Sequence, residues 1–196
     1  MIRKFVSAAA LLLIASGASA SITPTLNGAP LAIGGGQYAW TYNVILTPDQ
    51  RLTRNSYFTI YDFNFLVGAG ATPANWTFSS SLLGTTPALT NPGDDAAIAN
   101  VTFTYSGPTV TPPNALTGVA LGQFTVIGTG NRIVTDFFTS RARRNGGPQN
   151  NTIFDTIGFT SVAGAVPEPS TWAMLVAGFG MVGFSMRKRS SAAVSA

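Results

Sequence analysis

Between Ser21 and Ala165 every carboxylate is an aspartate: Asp49, Asp62, Asp94, Asp95, Asp136 and Asp155. The same stretch contains no His, Cys, Lys or Glu. It therefore lacks the usual bases that activate a serine and the nitrogen and sulfur ligands that hold zinc. Two carboxylates alone can hydrolyse a glycoside, provided one of them sits in a cleft that raises its pKa. No spacing marks such a pair here. Asp94-Asp95 follow Asn91-Pro92-Gly93, which reads as an exposed turn. Carboxylate and amide oxygens in such a turn would also suit a weak calcium site. Asp62 and Asp136 fall inside strand-like patterns and are expected to face solvent or a sheet edge. No catalytic residue, cofactor or resident metal is assigned.

The one basic cluster of this stretch is Arg141-x-Arg143-Arg144. Its plain reading is a solvated loop before Asn145-Gly146-Gly147. Its sharper reading is a contact for an acidic polysaccharide, because the guanidinium fork matches a carboxylate. Trp40 and Trp76 could stack on sugars if exposed, but both lie in strand patterns and are expected in the core. Threonines such as Thr102, Thr104, Thr109 and Thr111 form no regular array, which gives ice binding little support.

Charge distribution narrows the partners. Residues 21–165 hold six Arg and six Asp and are neutral, while the formal net charge of the chain is +4. The excess comes from Arg3, Lys4 and Arg187-Lys188-Arg189, less Glu168. A nucleic-acid surface needs its cations on the folded domain, so no nucleic-acid partner is expected. With no Cys there is no disulfide framework, and stability must come from core and sheet.

The elements that would position these groups read as strands. Gln37 to Leu46 alternates, with Tyr38, Trp40, Tyr42, Val44 and Leu46 on one face. Tyr57 to Leu66 is apolar on both faces. Trp76 to Ser80, Ile98 to Tyr105, Leu121 to Ile127, Ile133 to Phe138 and Thr152 to Val162 complete the set. Clusters such as Gly34-Gly35-Gly36, Thr47-Pro48-Asp49 and Asn91-Pro92-Gly93-Asp94 punctuate them as turns. No part of this stretch has a helical apolar period, and no repeat of fixed length is visible. The expected class is all-β, with residues 21–165 forming an antiparallel sandwich or jelly-roll-like body.

The flanks carry sorting chemistry. Residues 1–20 have a basic start, an apolar stretch from Phe5 to Ile14 and the small-residue site Ala18-Ser19-Ala20. That order reads as a secretory signal peptide cut after Ala20 to leave Ser21 first. Val162 to Ser170 reads as a linker that the prolines keep extended and open to an enzyme. Trp172 to Met186 is fifteen residues without a charge. As a helix it would span roughly 22 Å at about 1.5 Å per residue, short for a ~30 Å hydrocarbon core, so snorkelling or local thinning is implied. Arg187-Lys188-Arg189 would form a basic stop on the cytoplasmic side, leaving residues 190–196 as a short tail. Gly178-Phe179-Gly180-Met181-Val182-Gly183 matches the dinucleotide fingerprint. That reading is rejected, because no strand precedes it and no acidic residue follows. Small residues that allow close helix approach are the better account.

Pro167-Glu168-Pro169, Trp172-Ala173-Met174, the glycine-rich apolar run and Arg187-Lys188-Arg189 together resemble the PEP-CTERM sorting signal in its Pro-Glu-Pro-x-x-Trp-Ala form. The resemblance covers residues 166–189 and departs from the usual pattern only in the residues after Arg189. It implies a Gram-negative bacterium that makes exopolysaccharide. It also implies processing near Pro167-Glu168-Pro169 by an exosortase, an inner-membrane cysteine protease. The same kind of segment also carries the label ice-binding protein C-terminal domain, which describes the tail and not an activity. Asn75-Trp76-Thr77, Asn100-Val101-Thr102 and Asn150-Asn151-Thr152 match the glycosylation sequon and read as chance matches in a bacterial product.

The expectation is thus a non-enzymatic, exported surface or extracellular-matrix protein. Its partners would be signal peptidase and the secretion machinery, a transient inner-membrane anchorage, an exosortase-like protease and an exopolysaccharide. The alternatives are a secreted glycan-active enzyme using Asp residues, favoured by two carboxylates facing each other across a cleft, and a glycan-binding adhesin-like module, favoured by an aromatic strip beside Arg141 to Arg144.

Overall fold

The computed structural model describes residues 21–114, 116–165 and 174–183. Its strands are β1 (Ile22–Leu26), β2 (Leu31–Gly34), β3 (Gln37–Leu46), β4 (Gln50–Arg51), β5 (Tyr57–Ile60), β6 (Leu66–Ala69), β7 (Trp76–Ser81), β8 (Asn100–Tyr105), β9 (Val119–Gly128), β10 (Ile133–Arg144) and β11 (Ile153–Ala163). They form two antiparallel sheets. The first has the order β1-β3-β9-β6, with β2 added to β3; the second has the order β11-β10-β5-β8-β7, with β4 added to β10.

The two sheets share one core, and the period-2 pattern says why. On β3 the residues Trp40, Tyr42, Val44 and Leu46 are buried while Asn43 and Ile45 are exposed. Tyr38 packs against the edge of the same cluster. From β9, Phe124 reaches across to the second sheet, with ring centroids 5.2 Å from Phe58, 5.0 Å from Trp76 and 5.0 Å from Phe103. Edge-to-face pairs of this kind contribute about 0.5–1.5 kcal/mol each beyond burial. Trp40 and Trp76 are both core residues, as the strand pattern predicts. The Trp40 indole N–H donates to the Gly130 carbonyl at 3.1 Å.

Tyr57 to Leu66 is not one strand. It divides into β5 in the second sheet and β6 in the first, with positive φ at Asp62 (51°) and Phe65 (58°) where the chain crosses over. The crossing buries Phe63 edge-on against Trp40 at 5.4 Å. A segment that changes sheets is apolar on both sides, which is why it mimics a doubly buried strand. Strands β1, β2 and β4 lack clear alternation and escape the sequence reading.

Residues 82–99 form a third layer over the outer face of the second sheet. Thr59 Oγ1 donates to the Thr85 carbonyl at 2.9 Å and lies 2.9 Å from Thr102 Oγ1. The Tyr61 hydroxyl is 2.8 Å from Thr86 Oγ1 and 3.1 Å from Thr139 Oγ1. These buried hydroxyls satisfy one another, so the face is dry without being apolar. Burial pushes the Tyr61 phenol above its ordinary pKa, and the hydroxyls of Thr139 and Thr86 oppose that rise.

The last strand ends under a clamp. Gly164 N–H donates to the Arg132 carbonyl at 2.8 Å, and Arg132 Nη1 donates to the Ala165 carbonyl at 2.6 Å. Beyond it, residues 174–183 are helical with Met174, Leu175, Val176, Phe179, Met181 and Val182 exposed. Among the described residues no helix is long and apolar enough to cross a membrane. The span read over Trp172 to Met186 extends outside the described residues. So do the signal peptide with Ala18 and Ala20, the motif residues Pro167, Glu168, Pro169, Trp172 and Ala173, and the basic stop Arg187, Lys188 and Arg189.

Candidate functional site

Strand β10 runs on through Arg144, so the Arg141–Arg144 cluster is not a loop. Arg143 pairs with Arg51 of β4 and Ile153 of β11, and Arg141 pairs with Tyr57 and Asp155. Strand alternation then splits the cluster, because successive side chains point to opposite faces. Arg141 and Arg143 line one groove. Arg144 stacks its guanidinium 4.1 Å from the Phe154 ring centroid and lies 3.8 Å from Asp49.

The groove has a volume of about 390 Å³ and is bordered by Thr53, Arg54, Tyr57, Thr104, Arg141 and Arg143 together with neighbouring backbone. Arg141 is already engaged: its Nε and Nη2 each donate to one oxygen of Asp155 at 2.7 Å. That pairing raises the Arg141 pKa, against an opposing effect of burial. The Arg141 guanidinium also lies 5.8 Å from the Tyr57 ring centroid. Burial raises the Tyr57 phenol pKa, and Arg141 partly offsets it. Arg143 spends Nη1 on the Asn151 carbonyl at 2.6 Å. Arg54 is exposed and makes no hydrogen bond or ion pair with a described residue. Among the described residues no carboxylate borders the groove. No linear signal joins Arg54 to Arg143, because Arg54 lies in the turn before β5, far along the chain.

The aspartates do different work. Asn100 is fully buried, and its Nδ2 donates to Asp94 Oδ1 at 2.8 Å and to the Leu82 carbonyl at 3.1 Å. Its Oδ1 accepts the Asp62 N–H at 2.9 Å. Asp94 Oδ2 accepts the Gly84 N–H at 3.0 Å, so this carboxylate fastens both ends of the covering layer. Asp62 Oδ1 accepts the Asp95 N–H at 3.0 Å, and Asp95 Oδ1 accepts the Ala97 N–H at 2.9 Å. Asp94 and Asp95 are exposed, as the turn reading expects. Asp62 is not in a strand; it sits at the crossover with positive φ, where its backbone N–H bonds Asn100 in place of a ladder partner. Burial raises the Asp62 pKa, helped by the charges of Asp136, Asp94 and Asp95 and opposed by the bond from Asp95. Burial also raises that of Asp136, whose Oδ1 accepts the Phe137 N–H at 2.7 Å. Among the described residues no group of three or more carboxylates is placed to hold a metal ion.

At the other end of the body Ser21 is fully buried. Its N–H donates to Thr156 Oγ1 at 3.2 Å, and its hydroxyl lies 3.0 Å from Ser140 Oγ. Ser140 Oγ is in turn 2.7 Å from Thr156 Oγ1.

Residues 165–190 match the PEP-CTERM protein-sorting motif. No curated protein matches the chain. The chain therefore carries, directly after the Arg132 clamp, a motif that implies export, a membrane-anchored transient stage and processing by an exosortase membrane protease.

Proposed function

We propose that this chain is an exported, non-catalytic protein of the cell surface or extracellular matrix. Residues 1–20 direct export and are removed after Ala20. Residues 21–165 fold as the body. The apolar run Trp172 to Met186 holds the chain at the inner membrane until an exosortase-type protease cuts near Pro167-Glu168-Pro169, releasing the body into a setting rich in exopolysaccharide. The observation that carries the reading is the sorting motif at residues 165–190. The clamp on Ala165 supports it: the hydrogen-bonded body runs to the edge of that motif.

The non-catalytic part rests on the absence of His, Cys, Lys and Glu between Ser21 and Ala165 and on aspartates already engaged. Asp94 and Asp155 spend both oxygens on protein donors, and Asp62, Asp95 and Asp136 each spend one on a backbone N–H. A carboxylate that spends both oxygens on protein donors, as Asp94 and Asp155 do, is not free to protonate a leaving group.

Mass spectrometry of the surface-released protein from the native host tests the sorting reading. The expected product ends near Pro169, whereas one still carrying Trp172 to Ala196 would reduce the segment to an anchor. Turnover of any glycan or ester substrate that a single Asp→Asn change abolishes would overturn the non-catalytic part.

A further inference from the structure

We propose that the groove between Arg54, Arg143 and Tyr57 is a binding site for a carboxylated sugar within an acidic oligosaccharide. The inference goes beyond the export reading and does not depend on it: the groove is part of the folded body whether or not the tail is processed.

Three observations carry it. The first is uncompensated charge. Among the described residues three arginines border the groove and no carboxylate does, and of the three only Arg141 is neutralised, by the two-point bond to Asp155. Arg54 is free of described partners, and Arg143 uses a single nitrogen. Two guanidinium forks are thus left for an anion, and a planar fork matches a carboxylate through paired N–H···O bonds.

The second observation is the wall around those cations. Thr53, Asn55 and Thr104 supply neutral hydroxyl and amide groups, while the half-exposed Ile153 and the rim of the largely buried Tyr57 ring supply apolar surface. Sugars present hydroxyls on their rims and C–H groups on their faces, so this mixture suits a pyranose bearing a carboxylate better than a bare inorganic anion. The third is size. At about 390 Å³ the groove falls within the roughly 300–1,000 Å³ typical of small-ligand pockets.

The Asp155 pair also fixes the shape of the site. Held at two points by Asp155, Arg141 is kept over Tyr57, which sets the groove floor before a ligand arrives. Preformed geometry lowers the ordering cost of binding.

The test uses the full chain in detergent micelles and isothermal titration with tetragalacturonate, its fully methyl-esterified form, and inorganic phosphate. Binding of the acid, with the ester and phosphate at least about tenfold weaker, is expected, since charge-assisted hydrogen bonds are being removed. Arg54→Ala and Arg143→Gln should each weaken the acid about tenfold or more. Arg144→Gln removes the same charge from the opposite face of β10 and should change affinity less than about twofold. Circular dichroism verifies that each variant is folded, and Arg54→Ala alters only an exposed side chain. Equal losses in Arg143→Gln and Arg144→Gln would mean general attraction and overturn the site. So would an ester that binds as well as the acid, phosphate that binds as well as the sugar, or no binding of the acid at millimolar concentration.

Discussion

Arg141 and Asp155 face each other across the β10–β11 ladder as register partners and are joined by two parallel bonds of 2.7 Å. The aspartate side chain is nearly buried and the arginine about one-third exposed. The pair is therefore stronger than a surface ion pair but is not fully removed from water. Asp155→Asn keeps the shape and removes the charge. It should lower stability by about 1–3 kcal/mol. Chemical denaturation measures this, and a double-mutant cycle with Arg141→Gln should show coupling between the two positions. Additive effects would mean that the pair contributes nothing.

Asp62 and Asp136 should make the fold more stable in mild acid than their sequence context suggests. Both carboxyls are pushed upward, first by burial. The native state then binds protons more tightly than the unfolded chain. The resulting destabilisation is absent below the ordinary carboxylate pKa of about 4 and complete above the raised native values. Asp62→Asn and Asp136→Asn should each raise the thermal midpoint at neutral pH and lose that advantage near pH 4. A midpoint difference that does not change between the two pH values would contradict the mechanism.

Gly84 packs against the Tyr61 ring, close enough that an added Cβ would overlap it. The backbone there also donates to Asp94, so it cannot retreat freely. Gly84→Ala should cost about 1–3 kcal/mol by overpacking and speed hydrogen exchange in residues 82–99 more than in β3 or β9. Uniform exchange across the molecule would show that the covering layer is not a separate unit.

Cleavage after Ala20 would place a new amino terminus at Ser21, inside the hydroxyl cluster with Ser140 and Thr156. N-terminal sequencing of the mature protein should begin at Ser21. Ser140→Ala should destabilise by about 1 kcal/mol, since it strips a bond from both the Ile22 N–H and the Ser21 hydroxyl. A mature protein that begins elsewhere, or a neutral Ser140→Ala, would detach the export step from the fold.

What the sequence determines by itself is local. Alternation along β3 and β8 follows from a period of two that needs no knowledge of the partner strand. The sorting motif at residues 165–190 is contiguous, so its order and spacing are legible without a fold. Tertiary structure alone decides whatever depends on contacts distant in sequence. Tyr57 to Leu66 reads as one strand because the residues that pull it into two sheets, Trp40 against Phe63 and Ala163 against Asn64, lie elsewhere in the chain. Arg141 and Arg144 look alike in the sequence and separate only once β10 has a register that sends them to opposite faces. Arg54 joins Arg143 because the turn before β5 is laid beside β10. The aspartates likewise acquire their roles from Asn100 and Arg141, each brought near by sheet pairing. A carboxylate's chemistry is set by what donates to it and by how much water surrounds it, and neither is written in the neighbouring residues.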